Sequence, residues 1–168
     1  MPARPFWNTP ILAMLFLLSS ISNGIAAILL LRAILESYRG PGERVQRLRQ
    51  SDYVLSATDV LLIGFELLVI FLFLMYAHLT IGNVKEAVSV VLPGGSLAPM
   101  FWFGVIVVGL LIPALIELYY VIPRLLHGRQ FRSPRVVDIV VTVTVIFGGF
   151  LLRYVVVIAG QITAPSGI

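Results

Sequence analysis

Hydrophobic residues in this sequence gather into four long runs that short polar connections separate. The runs are predicted over residues 10–32, 53–80, 98–122 and 136–160. At a helical rise of ~1.5 Å per residue, each run is long enough to cross a hydrocarbon core of ~30 Å. A continuous helix also satisfies its own backbone hydrogen bonds inside a bilayer. The pattern therefore predicts an all-α integral membrane protein, in which a four-helix transmembrane bundle forms a single domain over residues 1–168.

The connections between the runs differ in charge. The first, over 32–52, holds five arginines and the third, over 123–135, holds four, whereas the second has Lys85 as its only cation. By the positive-inside rule the first and third connections are cytoplasmic, so both termini are predicted to lie outside. We expect both basic connections to be solvated loops. The second connection has an apolar stretch at 87–92 that is too short to cross, which predicts a short interfacial segment between helices 2 and 3.

Composition agrees with a membrane location, argues against a nucleic-acid surface, and excludes sites that require cysteine. Mean hydropathy is +1.00, and hydrophobic residues make up 59% of the sequence against 12% charged residues. The pI of about 9.9 comes largely from arginines in short loops, which favours membrane orientation over a nucleic-acid surface. The sequence has no cysteine, so it holds no iron–sulfur cluster through thiolates and forms no disulfide.

The sequence contains no recognisable phosphate loop, nucleophile triad or metal-ligand cluster. His78 and His127 are predicted at opposite membrane faces, whereas a bis-histidine haem needs both at one depth. We therefore expect no catalytic residue and no cofactor bound through metal ligands in this chain.

Four carboxylic acids and one arginine of the last run fall inside the predicted spans, where isolated charges are unfavourable. They are Asp59, Glu66, Glu117, Asp138 and Arg153. Asp59 and Glu66 are seven residues apart, so a helix places both on one face. Gly149 and Gly160 share a helix face with Arg153, which predicts that the guanidinium points into protein rather than lipid.

The predicted orientation places these groups at different depths. Asp138 would lie near the cytoplasmic edge, Glu66 near the middle and Arg153 in the outer half, with Asp59 and Glu117 between the edge and the middle. One hypothesis is a buried ion pair that holds the helices together, for example Glu66 with Arg153. The other is a proton path with the carboxylates as relays and the arginine tuning them. Carboxylates in excess of the single arginine favour the proton path.

Further polar residues are candidates to line such a path. Ser20 and Asn23 belong to a small polar cluster in the first run, although helix packing with hydroxyls bonded to their own backbone is the blander explanation. Tyr154, beside Arg153, and Tyr120 carry hydroxyls that can hydrogen-bond a quinone, while aromatic belts and packing are the commoner roles of tyrosine.

Three stretches of the sequence show a family resemblance. They are Arg4-Pro-Phe-Trp-Asn-Thr-Pro10, then Phe101-Trp-Phe-Gly104 with Gly109 and Pro113, and finally Gly148-Gly-Phe-Leu-Leu-Arg-Tyr-Val-Val-Val-Ile-Ala-Gly-Gln161. Together they resemble the NrfD-like family, the membrane subunits of polysulfide-reductase-type complexes. The last stretch is the most specific, and the similarity runs across nearly the whole sequence.

The resemblance implies a non-catalytic membrane subunit of an oxidoreductase complex in the prokaryotic cytoplasmic (inner) membrane. Such a subunit would anchor an iron–sulfur (ferredoxin-like) partner, often with a molybdopterin subunit, and exchange electrons with the quinone pool. Family members usually have two four-helix bundles, and this chain resembles the second, which is a proposed proton route in related complexes. Either the sequence is a fragment or a truncated or split gene product, or a second four-helix half or another membrane chain is its partner. Quinone is expected in the complex rather than at named residues here.

A different class of function also fits the embedded charges. The protein could be half of a transporter, or an ion-conducting membrane protein that acts as an oligomer, with the acids binding a cation or substrate. Co-purifying proteins would separate the two hypotheses, since only the first requires an iron–sulfur partner.

Overall fold

Helices account for nearly all of the chain that the structure describes. This structure, a computed structural model, describes residues 10–36, 43–79, 88–127 and 135–163. The helices are α1 (Pro10–Glu36), α2 (Glu43–Leu79), a π-helical segment (Met100–Leu111) that leads directly into α3 (Ile112–His127), and α4 (Arg135–Ile162).

The prediction of four membrane-spanning helices is confirmed. The stretches long and apolar enough to cross a membrane are Pro10–Leu35, Tyr53–Tyr76, Met100–Pro123 and Val136–Ile162. No strand is present in the described ranges. The outward location of both termini, which rests on the arginines of the connections, stays a prediction.

The helices form a closed arrangement around an apolar core. α1 packs between α2 and α4, the π-helical segment packs against α4, and α3 contacts both α2 and α4. Buried side chains from α1, α2, the π-helical segment and α4 meet in one cluster, including Leu15, Ile63, Val105, Leu152 and Val155. This packing places the inner face of each helix where its polar residues can meet those of the others.

The outer surface of the bundle is also apolar. Leu17, Phe71, Phe103 and Phe150 are each at least 58% exposed, and each comes from a different one of the four spans. A surface of this kind is unfavourable in water but matches lipid acyl chains. The exposed apolar residues therefore support a membrane location independently of span length.

A glycine pair allows the π-helical segment to lie against α4. A Cβ atom built on Gly109 would lie 2.6 Å from the Cα of Gly148, and one on Gly148 would overlap Gly109 in turn. Small residues at facing positions let two helix backbones approach closely, which is a common basis of helix packing in membranes.

Residues 88–99, which precede the π-helical segment, pack against the bundle. Val88 and Val91 are each only 1% exposed, and the indole N–H of Trp102 donates to the carbonyl of Val91 at 3.2 Å. Gly94 has a φ of +101°, which favours glycine and turns the chain. The short segment predicted here is thus present from residue 88, while its position at a membrane interface stays a prediction.

Two loop predictions were wrong in their bounds. α2 begins at Glu43, inside the predicted loop 32–52. Residues 43–50 are polar but rich in strong helix formers. Hydropathy identifies segments that can lie in a bilayer, so it does not detect a polar helix. α3 continues through Pro123 to His127, where a loop was expected. Pro123 removes one backbone donor, and the good helix formers Leu125 and Leu126 extend the helix beyond it. The predicted end of the second run at residue 80 lies outside the described residues.

The third span departs from a regular α-helix. Over Met100–Leu111 the hydrogen-bond pattern is π-helical, and the N–H of Ile112 donates to the carbonyl of Val107, five residues earlier. Such a stretch accommodates an additional residue in the ladder and widens the turn. Hydrophobicity alone does not distinguish this geometry, so the sequence predicted the span but not its form.

Replacing Gly148 by alanine should loosen the contact with Gly109. The added methyl would overlap backbone atoms that have no flexible side chain to move, so we expect a loss of about 1–3 kcal/mol of stability. The measurement is thermal or denaturant unfolding in mild detergent.

Gly24→Ala is the matched control, because a Cβ atom there meets nothing within 4 Å. It should leave stability unchanged or slightly raised, since alanine is the better helix former. Equal stability losses in the two variants would contradict a tight contact between the π-helical segment and α4.

Candidate functional site

Three carboxyl side chains are buried inside the bundle. Asp59 and Glu66 from α2 are 0% and 3% exposed, and Glu117 from α3 is 6% exposed. The seven-residue spacing accounts for the first two, since it places them on the same face of α2, and contact between α2 and α3 brings Glu117 into the same interior. Asp59 is close enough to interact electrostatically with both Glu66 and Glu117.

These carboxyl groups are incompletely hydrogen-bonded within the part of the chain that the structure describes. The hydroxyl of Ser22 on α1 donates to Asp59 Oδ1 at 2.6 Å. Asp59 Oδ2, Glu66 Oε1 and Glu117 Oε2 are buried and have no hydrogen-bond partner among the described residues. Leaving such a group unsatisfied costs about 1–3 kcal/mol, and more if it is charged. Buried carboxyl oxygen atoms that lack a hydrogen-bond partner can be satisfied by a bound proton, a water molecule or an ion.

Glu66 lies beside a small cavity between α1, the π-helical segment and α4. The cavity has a volume of about 10 Å³, close to the minimum that holds one water molecule. Its polar lining comes from Ser19, Ser22, Asn23 and Glu66, and its remaining walls are glycine and aliphatic residues. Asn23, predicted as a lining residue, therefore lies at the cavity, and its side chain also contacts Gly149.

Arg153 binds at the side of the bundle rather than to a carboxylate. Its Nη1 donates to the carbonyl of Gly149 at 2.9 Å, and its Nη2 donates to Ser20 Oγ on α1 at 2.9 Å. Ser20 in turn donates to the carbonyl of Phe16 at 2.7 Å. The guanidinium thus turns back towards the start of α4, as helical side chains generally do, and bridges α4 to α1.

The direct ion pair between Glu66 and Arg153 is not formed among the described residues. Glu66 Oε1 has no hydrogen-bond partner there, and Arg153 instead uses the Ser20 hydroxyl and its own helix backbone. The two side chains interact electrostatically over a longer distance. Arg153 is also only partly buried, and its partner Ser20 lies on the exposed side of α1. That its guanidinium points into protein rather than lipid stays a prediction.

The other predicted residues are distributed around this site. Asp138 is partly buried in the first turn of α4 and interacts electrostatically with Glu117. Tyr154 is 45% exposed on the outer surface. Tyr120 packs edge-to-face on Tyr119, with 5.3 Å between ring centroids. Asp138 therefore belongs to the electrostatic neighbourhood of the buried acids, whereas the tyrosines lie away from the cavity.

Tyr119 and Tyr120 instead line an apolar groove between α3 and α4. The groove has a volume of about 460 Å³, and its lining is completed by Leu115, Ile116, Val136, Val137 and Val140. In a bilayer this surface is available to an acyl chain or a neighbouring helix.

The sequence placed Ser19 and Ser22 in the small polar cluster of the first run, but the lining candidate chosen among its serines was Ser20. Ser19 and Ser22 are buried, at 1% and 2% exposed, and both line the cavity. They are three residues apart on one face of α1, a spacing visible in the sequence, whereas Ser20 points elsewhere. That periodicity was the signal that could have separated the inner serines from the outer one.

The described residues contain no group of three or more histidine, cysteine, aspartate or glutamate side chains placed to hold a metal ion. Of the three buried acids, Asp59 and Glu66 lie on α2 and Glu117 lies on α3.

Comparison with known proteins identifies the family. A family model described as "Polysulphide reductase, NrfD" matches residues 1–165, which is nearly the whole sequence. This chain belongs to the NrfD polysulphide reductase family. The resemblance expected from the sequence motifs is thereby confirmed. No solved structure gives a significant match.

Individual members of the NrfD family give the same result. The relative from Wolinella succinogenes, which is one of the chains of polysulfide reductase, is 32% identical over 161 residues, covering 96% of this sequence and 46% of its own. Protein NrfD homolog of Haemophilus influenzae is 32% identical over 159 residues, covering 95% of this sequence and 45% of its own. Protein NrfD of Escherichia coli is 29% identical over 160 residues. The protein thus spans about half the length of the curated relatives it matches.

Double-mutant cycles should assign the partner of Arg153. We expect an interaction energy of about 1.5–3 kcal/mol between Arg153→Met and Ser20→Ala, because the bond between them has a charged donor. The cycle of Arg153→Met with Glu66→Gln should give a smaller interaction energy, since no direct bond joins those side chains. Unfolding in detergent provides both values. A larger energy for the glutamate cycle would restore the ion-pair hypothesis.

Proposed function

We propose that this protein is a non-catalytic membrane subunit of a quinone-linked redox complex in a prokaryotic cytoplasmic membrane. It would anchor an iron–sulfur (ferredoxin-like) subunit, together with a molybdopterin subunit where the complex has one, and carry protons through its interior. Membership of the NrfD family supports the first part, since one relative is named as part of a polysulfide reductase. The buried acids support the second part.

The observation that carries the proton path is the set of buried carboxyl oxygen atoms that have no hydrogen-bond partner in the described ranges. Asp59, Glu66 and Glu117 each have one. A bundle needing only mechanical stability would be served better by apolar side chains of similar volume, because buried polar groups are normally hydrogen-bonded. Acids retained within membrane spans commonly serve proton or ion movement.

Electrostatic neighbours support an order along this path. Arg153 interacts with Glu66, Glu66 with Asp59, Asp59 with Glu117, and Glu117 with Asp138. With the cytoplasmic side assigned by the arginine-rich connections, this order runs from the outer half of the membrane through its middle to the cytoplasmic edge. Arg153 would then act at the outer end by its charge and the carboxyl groups as successive proton carriers.

Quinone chemistry is assigned to the assembled complex and not to named residues of this protein. The sequence matches about half the length of its curated relatives, and we propose that a second four-helix half, in the same polypeptide or in another membrane chain, completes the subunit. The iron–sulfur and molybdopterin centres would reside in the other subunits.

Glu66→Gln tests the proton path. The glutamine side chain has nearly the same size as that of glutamate, but its amide does not bind and release protons as a carboxyl group does. Proton movement coupled to quinone turnover should therefore be lost, while the complex remains assembled. The measurement is acidification together with quinone turnover in proteoliposomes that contain the whole complex.

Phe65→Leu is the control for that variant, because Phe65 is adjacent in α2 but 45% exposed on the outer surface. It should leave both coupling and assembly intact. Unchanged proton movement in Glu66→Gln, at normal turnover, would refute the path.

Purification in mild detergent tests the assignment to a redox complex. We expect the protein to bring with it an iron–sulfur subunit, identified by mass spectrometry and by its iron content. A pure homo-oligomer that conducts ions in liposomes without such a subunit would instead support the half-transporter hypothesis, which the buried acids alone also allow.

A further inference from the structure

The cavity beside Glu66 concentrates polar side chains in the interior of the bundle. Ser19 and Asn23 line it together with Glu66, whose Oε1 has no partner among the described residues. Ser19 and Glu66 are 1% and 3% exposed, so bulk water does not reach them. Three separate polar side chains therefore face one enclosed space.

The dimensions of this space suit one small occupant. A volume of about 10 Å³ is close to the room a single water molecule needs, and too small for a substrate. Buried waters typically make about three hydrogen bonds to polar groups that surround them. The lining offers that number of partners, whereas an apolar cavity of the same size would stay dry.

One of the lining residues is already part of a connection to a second acid. Ser22 lines the cavity, and its hydroxyl donates to Asp59 Oδ1 at 2.6 Å. Asp59 itself does not line the cavity. Ser22 is therefore the group that would connect a molecule bound in the cavity next to Glu66 with Asp59 through hydrogen bonds.

We propose that the cavity holds one ordered water molecule that hydrogen-bonds to Glu66 and to Ser22 Oγ, and so links Glu66 to Asp59 as a proton relay. Ser19 and Asn23 would supply its remaining partners and fix its orientation. The relay rests on the proposed proton path, whereas the water site stands on the cavity and its lining.

The transfer balances without any further reactant. The acid proton of Glu66 passes to the water, the water passes one of its own protons to Ser22 Oγ, and the original Ser22 proton passes to the carboxylate of Asp59. One O–H bond breaks at Glu66 and one forms at Asp59. The water and the serine hydroxyl are regenerated with reversed orientation, so reorientation of both completes a cycle.

The cavity walls explain why this space persists. Gly109, Gly148 and Gly149 line it where larger residues would not fit, because Cβ atoms at these positions would overlap the facing backbone or the Asn23 amide. The glycine contact therefore fixes the spacing of the π-helical segment and α4 and leaves a gap of about one water molecule.

Ser22→Val and Ser22→Thr form the pair that tests the relay. The two side chains have nearly the same shape, but only threonine keeps the hydroxyl. The readout is hydrogen–deuterium exchange of the Glu66 acid proton, followed by infrared spectroscopy of the purified protein at a pH where the acid is protonated. Its carbonyl band is identified by its loss in Glu66→Gln.

We expect Ser22→Val to slow this exchange by about tenfold or more and Ser22→Thr to restore it, tenfold corresponding to about 1.4 kcal/mol in the barrier. Thr58→Val is the control, because it removes a hydroxyl next to Asp59 that is exposed and bonded to the carbonyl of Val54. Equal exchange rates in Ser22→Val and wild type would overturn the relay.

The wild-type structure provides the second measurement, which needs no variant to fold. A high-resolution experimental map of the intact protein should show one density peak within about 3 Å of both Glu66 and Ser22 Oγ. An empty cavity, or a peak that depends on added sodium, would overturn the water site. Loss of coupling in Glu66→Gln is a separate result, so the proton path can fail while the water site stands, and the reverse.

Discussion

The interior of this bundle depends on how carboxyl groups are accommodated away from water. A buried carboxylate without hydrogen-bond partners is unfavourable, so each acid must be protonated or must accept a hydrogen bond from a hydroxyl group or a water molecule. Asp59 is partly satisfied by Ser22, whereas Glu66 and Glu117 keep an unbonded oxygen within the described residues. Arg153, the cation that acts on Glu66 electrostatically, is held at the side by Ser20 and Gly149. Within the part of the chain that the structure describes, Glu66 is therefore not held in a salt bridge with Arg153.

Much of the fold follows from the sequence, because membrane spans obey a simple physical rule. Apolar length predicted all four spans, and the seven-residue interval between Asp59 and Glu66 predicted their common inward face. The early start of α2 was missed because its first residues are charged, and hydropathy reports solvent rather than backbone conformation. The π-helical geometry was missed because it depends on how the segment packs against α4.

The site was less predictable than the fold because partner choice depends on side-chain direction. The sequence suggested Glu66 as a partner of Arg153, but the direction of side chains on a helix turns the guanidinium towards Gly149 and towards Ser20 of α1. Ser22 was less conspicuous in the sequence than Asn23, and only the packing of α1 against α2 gives it Asp59 as an acceptor. Residue type identified the charged groups, while their connections required the spatial arrangement of three helices.

The π-helical form of Met100–Leu111 bears on how the third span would respond to a change in its length. Deleting a single residue from an ordinary transmembrane α-helix rotates everything beyond the deletion by about 100° around the axis. In this segment the deletion could instead be absorbed by reverting the widened turns to α-helical pairing, which leaves Glu117 facing inward. A one-residue deletion within Met100–Leu111 would therefore leave Glu117 facing the interior, whereas the same deletion in a regular α-helix would turn it away.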